Sequence, residues 1–204
     1  MKHGKGWLFT NRSLLTVLAL AIGTLVLPVG SAFADDCKVE SPTDDAKLTW
    51  GVTSLPAEDR IKIEDLFSSY TWALDQRNVD GFAVQFEDLG NYAVWSGGGT
   101  VKVFEATSNE EIKTKIKDLF DQQKETFQPR HVLVSTLLRE DGQDIQSKSI
   151  MLVSIQRAGV SRVLPEPDYT AELRGTLRKD DVGTWKFQCL AVYTDTPVFE
   201  PMGR

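Results

Sequence analysis

Between Pro56 and Asn78 the apolar residues Ile63, Leu66, Phe67, Tyr70, Ala73 and Leu74 recur at helical spacing. Pro56 suits a first helical turn, and Glu58 and Asp59 set negative charge at the positive end of the helix dipole. A short second helix is expected to carry Val79, Phe82 and Phe86. Asn91 to Ser96 reads as a strand that Gly97-Gly98-Gly99 ends. Ser108 with Glu111 then fits a capping box, and Ile112, Ile116, Leu119 and Phe120 form the apolar stripe of the next helix.

Beyond that helix the period changes from 3.6 to 2. Alternation predicts strands at about 130–139, 145–157, 168–179 and 184–194. Asp141-Gly142 and Asp181-Val182-Gly183 mark hairpin turns, so the strands they join are antiparallel. Helices followed by a long antiparallel meander make an α+β pattern. No internal repeat is visible.

The N-terminus follows another logic. Lys2, Lys5 and Arg12 make a basic region, Leu14 to Leu27 an apolar run of 14 residues, and Ala32-Phe33-Ala34 a small-residue cleavage site. The run is short for a membrane span, and Cys37 lacks a lipobox before it. The expectation is a signal peptide over 1–34, cleaved after Ala34, and a periplasmic or secreted protein with no stable membrane anchor. Residues 35–54 then form an acidic tail or linker, 55–196 one domain, and 197–204 a C-terminal tail.

Cleavage removes 34 of 204 residues, with three of the 23 basic ones and none of the 29 acidic ones, leaving a formal charge of −9. That balance argues against nucleic acid and anionic membranes as partners. Cys37 and Cys189 are either a disulfide formed in an oxidising compartment or two free thiols. With a single His left after cleavage and two distant Cys, no metal-ligand spacing exists, and no cofactor motif is present. Gly97-Gly98-Gly99-Thr100 lacks the Lys-Ser/Thr of a phosphate loop, and there is no Gly-x-Ser-x-Gly elbow.

Leu66-Phe67-x-x-Tyr70-x-x-Ala73-Leu74-Asp75-Gln76-Arg77-Asn78-Val79-Asp80 resembles the opening helix of SnoaL-like domains, in the nuclear-transport-factor-2-like superfamily. The resemblance continues through Phe86-Glu87-Asp88, Asn109-Glu110-Glu111-Ile112, Arg130-His131 and Gly183-Thr184-Trp185-Lys186-Phe187, and covers about residues 55–196. It implies one cone-like α+β domain, N-terminal helices packed in a strongly curved antiparallel sheet, and a homodimer through the outer face of the sheet. The fold hosts dehydratases, isomerases, cyclases, hydrolases and pure binding modules, so it does not fix an activity.

In the similar scytalone dehydratases and lindane dehydrochlorinases an Asp after the first helix pairs with a strand His, and the matching positions here are Asp75 and His131. The carboxylate would fix the ring's tautomer while the other nitrogen takes a proton. The plain alternatives are a satisfied, partly buried His131 and an Asp75 paired locally at the helix end. By angle Asp75 lies roughly 120° from the centre of the Phe67/Leu74 stripe, on the flank of the core face. Tyr70, Trp72, Tyr92 and Trp95 are candidate substrate-binding residues, or else ordinary packing. Glu172 and Arg174 share one strand face, with an ion pair within the sheet as the default and a pocket role as the alternative.

Departures from those enzymes matter. Lys148, Ser149 and Met151 occupy the region of the dehydratases' second His, and Tyr70 stands where dehydrochlorinase-like proteins carry Lys. Two classes of function remain. One is a cofactor-independent lyase, isomerase or hydrolase with His131 as base and Asp75 orienting it; the other is a non-catalytic module for a small apolar ligand or a partner protein.

Overall fold

The computed structural model describes residues 49–51, 53–123, 127–157 and 165–195. The expected signal peptide, nearly all of the expected acidic tail including Cys37, and the expected C-terminal tail lie outside the described residues. The described elements run α1 (Ala57–Gln76), α2 (Val79–Ala83), β1 (Phe86–Ser96), β2 (Val101–Ala106), α3 (Asn109–Gln123), β3 (Phe127–Asp141), β4 (Asp144–Arg157), β5 (Glu166–Lys179) and β6 (Trp185–Thr194). The strands form one sheet in the order β2-β1-β6-β5-β4-β3, and the helices pack on its concave face. The fold is α+β and cone-like.

Two expectations change. The sheet is mixed rather than wholly antiparallel, because β1 pairs with β6 in parallel, from Asn91 opposite Cys189 to Trp95 opposite Tyr193. The β2 strand was not anticipated, and Phe86 opens β1 instead of closing α2. The four late strands match the alternation that predicted them, each beginning or ending within a few residues of the expected limits.

Strand alternation separates the two faces cleanly. Along β4, Ile145, Ser147, Ser149, Met151, Val153 and Ile155 are buried while the residues between them are partly or fully exposed. Under the helices, Phe67, Tyr70, Phe82, Phe86, Tyr92 and Phe187 form an aromatic cluster with ring centroids 5.1–5.9 Å apart, mostly tilted or edge-on. Such rings combine large apolar burial with the offset geometry that their quadrupoles favour.

Carboxylates tie both ends of α1 to the sheet. Near its start, Asp59 accepts from Trp185 Nε1 at 3.2 Å and from Lys179 Nζ at 2.9–3.0 Å. The segment before α1 is held by Glu140 of β3, whose Oε1 accepts from Thr53 Oγ1, the Ser54 amide and Ser54 Oγ at 2.7–2.8 Å. At the end of α1, Arg77 takes the left-handed conformation with φ 52°, and the chain turns into α2. There the side chain of Asn78 accepts from the Gly81 amide at 2.9 Å and starts the short helix.

Candidate active site

The last turn of α1 meets the beginning of β3, which lies at the sheet edge. An edge strand presents backbone groups that no neighbouring strand satisfies. Here the helix satisfies one of them: the His131 amide donates to Asp75 Oδ1 at 3.0 Å. Two further latches hold the same junction. Gln128 Nε2 donates to the Asp75 carbonyl at 2.7 Å, and the Arg77 guanidinium donates to the Phe127 carbonyl. Pro129 is tolerated within β3 because the strand is an edge.

The same Asp75 Oδ1 lies 2.7 Å from His131 Nδ1. Both side chains are almost wholly enclosed, at 8 % and 9 % exposure. A carboxylate only accepts hydrogen bonds, so Nδ1 carries the hydrogen, and in the neutral ring Nε2 keeps its lone pair. Among the described residues the ring makes no other side-chain hydrogen bond, which leaves Nε2 unengaged. Arg130 Nη1 stands 3.9 Å from Asp75 Oδ2, but it is half exposed, so solvent screens that pair.

Strand register shows what surrounds the pair. His131 is opposite Val153 of β4, which is opposite Tyr169 of β5, so all three share the concave face. Two residues further in, Leu133, Met151 and Ala171 repeat the relation and keep that face apolar. Between Val153/Tyr169 and Ser154/Pro167 the register slips, and Asp168 is the extra residue of a bulge. Burial pushes the Asp168 carboxyl up, against the opposing pull of Arg157 and His131. Sequence reasoning missed both Asp168 and Tyr169; the one available signal was two polar groups side by side where the expected strand begins.

The other candidates separate. Tyr70 is fully buried among Phe82 and Phe187, and its hydroxyl is 3.4 Å from that of Tyr92. Burial raises both phenols, Tyr92 to about 12 and Tyr70 well above the usual value, so each stays protonated. Trp72 is 61 % exposed on the outer side of α1 and takes no part in the interior, which corrects its assignment to a pocket. Trp95 is also corrected. Its neighbours Tyr92 and Val94 are in the main core, whereas Trp95 stacks on Tyr193 at 6.2 Å beside Ala93 and Ala191, on the other face of the sheet.

Glu172 and Arg174 lie on that outer face too, with Arg174 Nε donating to Glu172 Oε1 at 2.6 Å and Lys148 Nζ 3.4 Å from the same oxygen. This is the ion pair expected by default. Ser149 and Met151 are packed in the interior, so no second imidazole or amine enters the site from this part of β4.

A groove of about 690 Å³ opens at the opposite end of β5, between α2, α3 and the β5–β6 turn. It includes neither Asp75 nor His131. Its cations are already engaged, Lys113 with Asp80 and Glu110, Arg178 with Asp144, Lys179 with Asp59 and Lys186 with the Val84 carbonyl. Among the described residues no group of three or more His, Cys, Asp and Glu side chains could hold a metal ion. Cys189 is disulfide-bonded, while Cys37 lies outside the described residues.

No family model matches the chain, and no characterised protein matches it in sequence. Solved structures do. ActVI-ORFA from Streptomyces coelicolor superposes with a TM-score of 0.58 at 20 % identity, over 68 % of this chain and 98 % of that one. A protein of unknown function with a cystatin-like fold from Nostoc punctiforme gives 0.55 at 20 % identity, over 72 % and 100 %. A Catenulispora acidiphila protein in complex with S-DNPA gives 0.57 at 18 % identity, over 69 % and 96 %. At these identities the likeness is one of fold alone, a cone-like α+β architecture of the cystatin-like kind.

Proposed function

We propose that this chain is an exported small-molecule protein whose interior carries a proton-transfer pair, with His131 Nε2 as general base and Asp75 as the group that orients it. The observation carrying this reading is the 2.7 Å contact between His131 Nδ1 and Asp75 Oδ1, with the His131 amide on the same oxygen. Two hydrogen bonds to one carboxylate oxygen fix both the backbone and the ring, so Nε2 is presented in one tautomer and one direction. The reaction class is a lyase, isomerase or hydrolase step that needs no redox partner. The substrate is small and mostly apolar, matched to the wall of Leu133, Met151, Val153 and Ala171.

Export through residues 1–34 fits a Cys189 held in a disulfide, since such bonds persist in oxidising compartments. A homodimer is supported by the outer face of β3 and β4, where Val132, Leu137, Ile150 and Leu152 are all exposed. Contiguous apolar surface of this kind marks association sites.

A second reading has one observation behind it. Lys148 lies on the outer face, and Ser149 and Met151 are packed inside, so β4 offers no electrophilic partner to the base. That favours a binding module. Incubation with small apolar ketones in deuterium oxide separates the two. A base at His131 exchanges the hydrogens beside the carbonyl, and His131→Ala lowers the rate by about 10²–10⁴. Binding without exchange by the wild-type chain would establish the module instead.

A further inference from the structure

The chain reaches α1 by wrapping round the edge of the sheet. Leu138 of β3 is buried in the core, so its neighbour Arg139 points to the outer face, and there its guanidinium lies 5.5 Å from the Trp50 ring. Gly51, at φ 80°, turns the chain at the edge strand, where its amide donates to the Leu138 carbonyl at 3.1 Å. Thr53 and Ser54 then bond Glu140, which alternates with Arg139 and so faces the other way. Trp50 therefore stands on the outer face, and the residues before it set out from there.

Cys189 lies on the same face, beside Ala191, Trp95 and Tyr193. It is also in register with Arg139, which is opposite Gln146, itself opposite Thr176, which is opposite Cys189. Along that row Thr176 Oγ1 donates to Gln146 Oε1 at 3.2 Å. From β3 to β6, at ~4.8 Å per strand spacing, the row is about 14 Å long. Cys189 is disulfide-bonded, and Cys37 is the other cysteine of the chain. At about 3.5 Å per residue the chain from Cys37 to Trp50 extends to about 45 Å, well beyond that span. Beside the row, Arg174 and the Ala191 opposite it are 3 % and 0 % exposed, although α1, α2 and α3 pack on the concave face. A guanidinium so enclosed on the outward side of a sheet calls for a cover.

We propose that residues 38–48, which lie outside the described residues, dock on the outer face of the sheet as a strap along the row from Arg139 to Cys189, closed by a Cys37–Cys189 disulfide within one chain. Charge favours this occupant: the segment carries Glu40, Asp44 and Asp45, while Arg139, Lys148 and Arg174 stand on the face it crosses. Forming the bond removes two protons and two electrons from the two thiols, and a disulfide-bearing oxidant takes them up and becomes a dithiol. The strap crosses the sheet near the β3–β4 turn and leaves Val132 and Leu152 open, so a second copy is confined to that end.

The test uses the exported, oxidised protein and trypsin, for which Lys47 is a site within the segment. An undocked tether is nicked readily. Wild type is expected to resist cleavage after Lys47, and Cys37→Ser to be cut at least about tenfold faster. Thr176→Glu keeps the disulfide but sets a carboxylate on the row; folded by circular dichroism, it is expected to be cut faster than wild type as well. Equal rates in wild type and Cys37→Ser would overturn the docking. An unchanged rate in Thr176→Glu with its disulfide intact would overturn the path along the row. A Cys37–Cys189 bond that joins two chains, seen as a doubled mass on non-reducing electrophoresis, would overturn the strap and assign the face to a second copy.

Discussion

Asp75 Oδ1 accepts two hydrogen bonds from one residue, the His131 amide at 3.0 Å and the His131 ring at 2.7 Å. The contact closes the junction between helix and edge strand and sets the ring at the same time. Structure and chemistry therefore depend on one carboxylate. Asp75→Ala leaves an amide and a ring N–H without their acceptor, in surroundings that are nearly closed to water. Urea unfolding is expected to show a loss of about 3 kcal/mol. Asp75→Asn, which keeps an acceptor oxygen, is expected to lose less stability than Ala while still disturbing the ring's tautomer.

Asp168 gives the stability a pH dependence of known sign. Burial holds its carboxyl above the usual range in the folded chain, so the fold favours the protonated form. The stability it contributes is complete below about pH 4, its unfolded value, and is lost as pH rises through the folded value. Asp168→Asn lacks that term. The unfolding free energy of the variant relative to wild type is expected to improve between pH 4 and pH 7, and a constant difference would refute the assignment.

The exposed apolar side chains of β3 and β4 predict association. Val132 is directly opposite Leu152, and both are exposed on the outer face, at 53 % and 38 %. Replacing both with Asp is expected to turn a dimer into a monomer in sedimentation. Because neither side chain is buried in the core, the helical circular dichroism should not change. A wild-type monomer at micromolar concentration would remove the dimer from consideration.

Cys189 carries a disulfide and the chain has one other cysteine, Cys37. A digest of the exported protein under non-reducing conditions is expected to release the peptides of these two residues as one mass, which reduction splits. Free thiols at both positions would contradict oxidative export.

Much of the fold was legible because local signals agreed with tertiary ones. The period-2 alternation survives most plainly in β4, where every second residue from Ile145 to Ile155 is buried. The parallel pairing of β1 with β6 was not legible, since it joins segments about a hundred residues apart and leaves no local signature. Trp95 illustrates a parity argument that was open to use. It is three residues from Tyr92, and in a strand such residues point to opposite faces. Trp72 likewise falls off the Phe67/Tyr70/Leu74 stripe, and its aromatic character outweighed its position. Asp75 is the opposite case. Its angle from the stripe centre is real, but β3 covers that flank of the helix, and only tertiary structure could show it.

The most direct test of the dyad is the tautomer of His131, the sole imidazole once residues 1–34 are removed. Two-bond proton–nitrogen correlation spectra of the labelled mature protein at neutral pH distinguish the two ring nitrogens. Hydrogen on Nδ1 with Nε2 bare, reverting toward the Nε2–H form in Asp75→Asn, is the result expected of a base held by Asp75. Hydrogen on Nε2 in the wild-type protein would contradict it, because that nitrogen would then have no lone pair with which to take a proton.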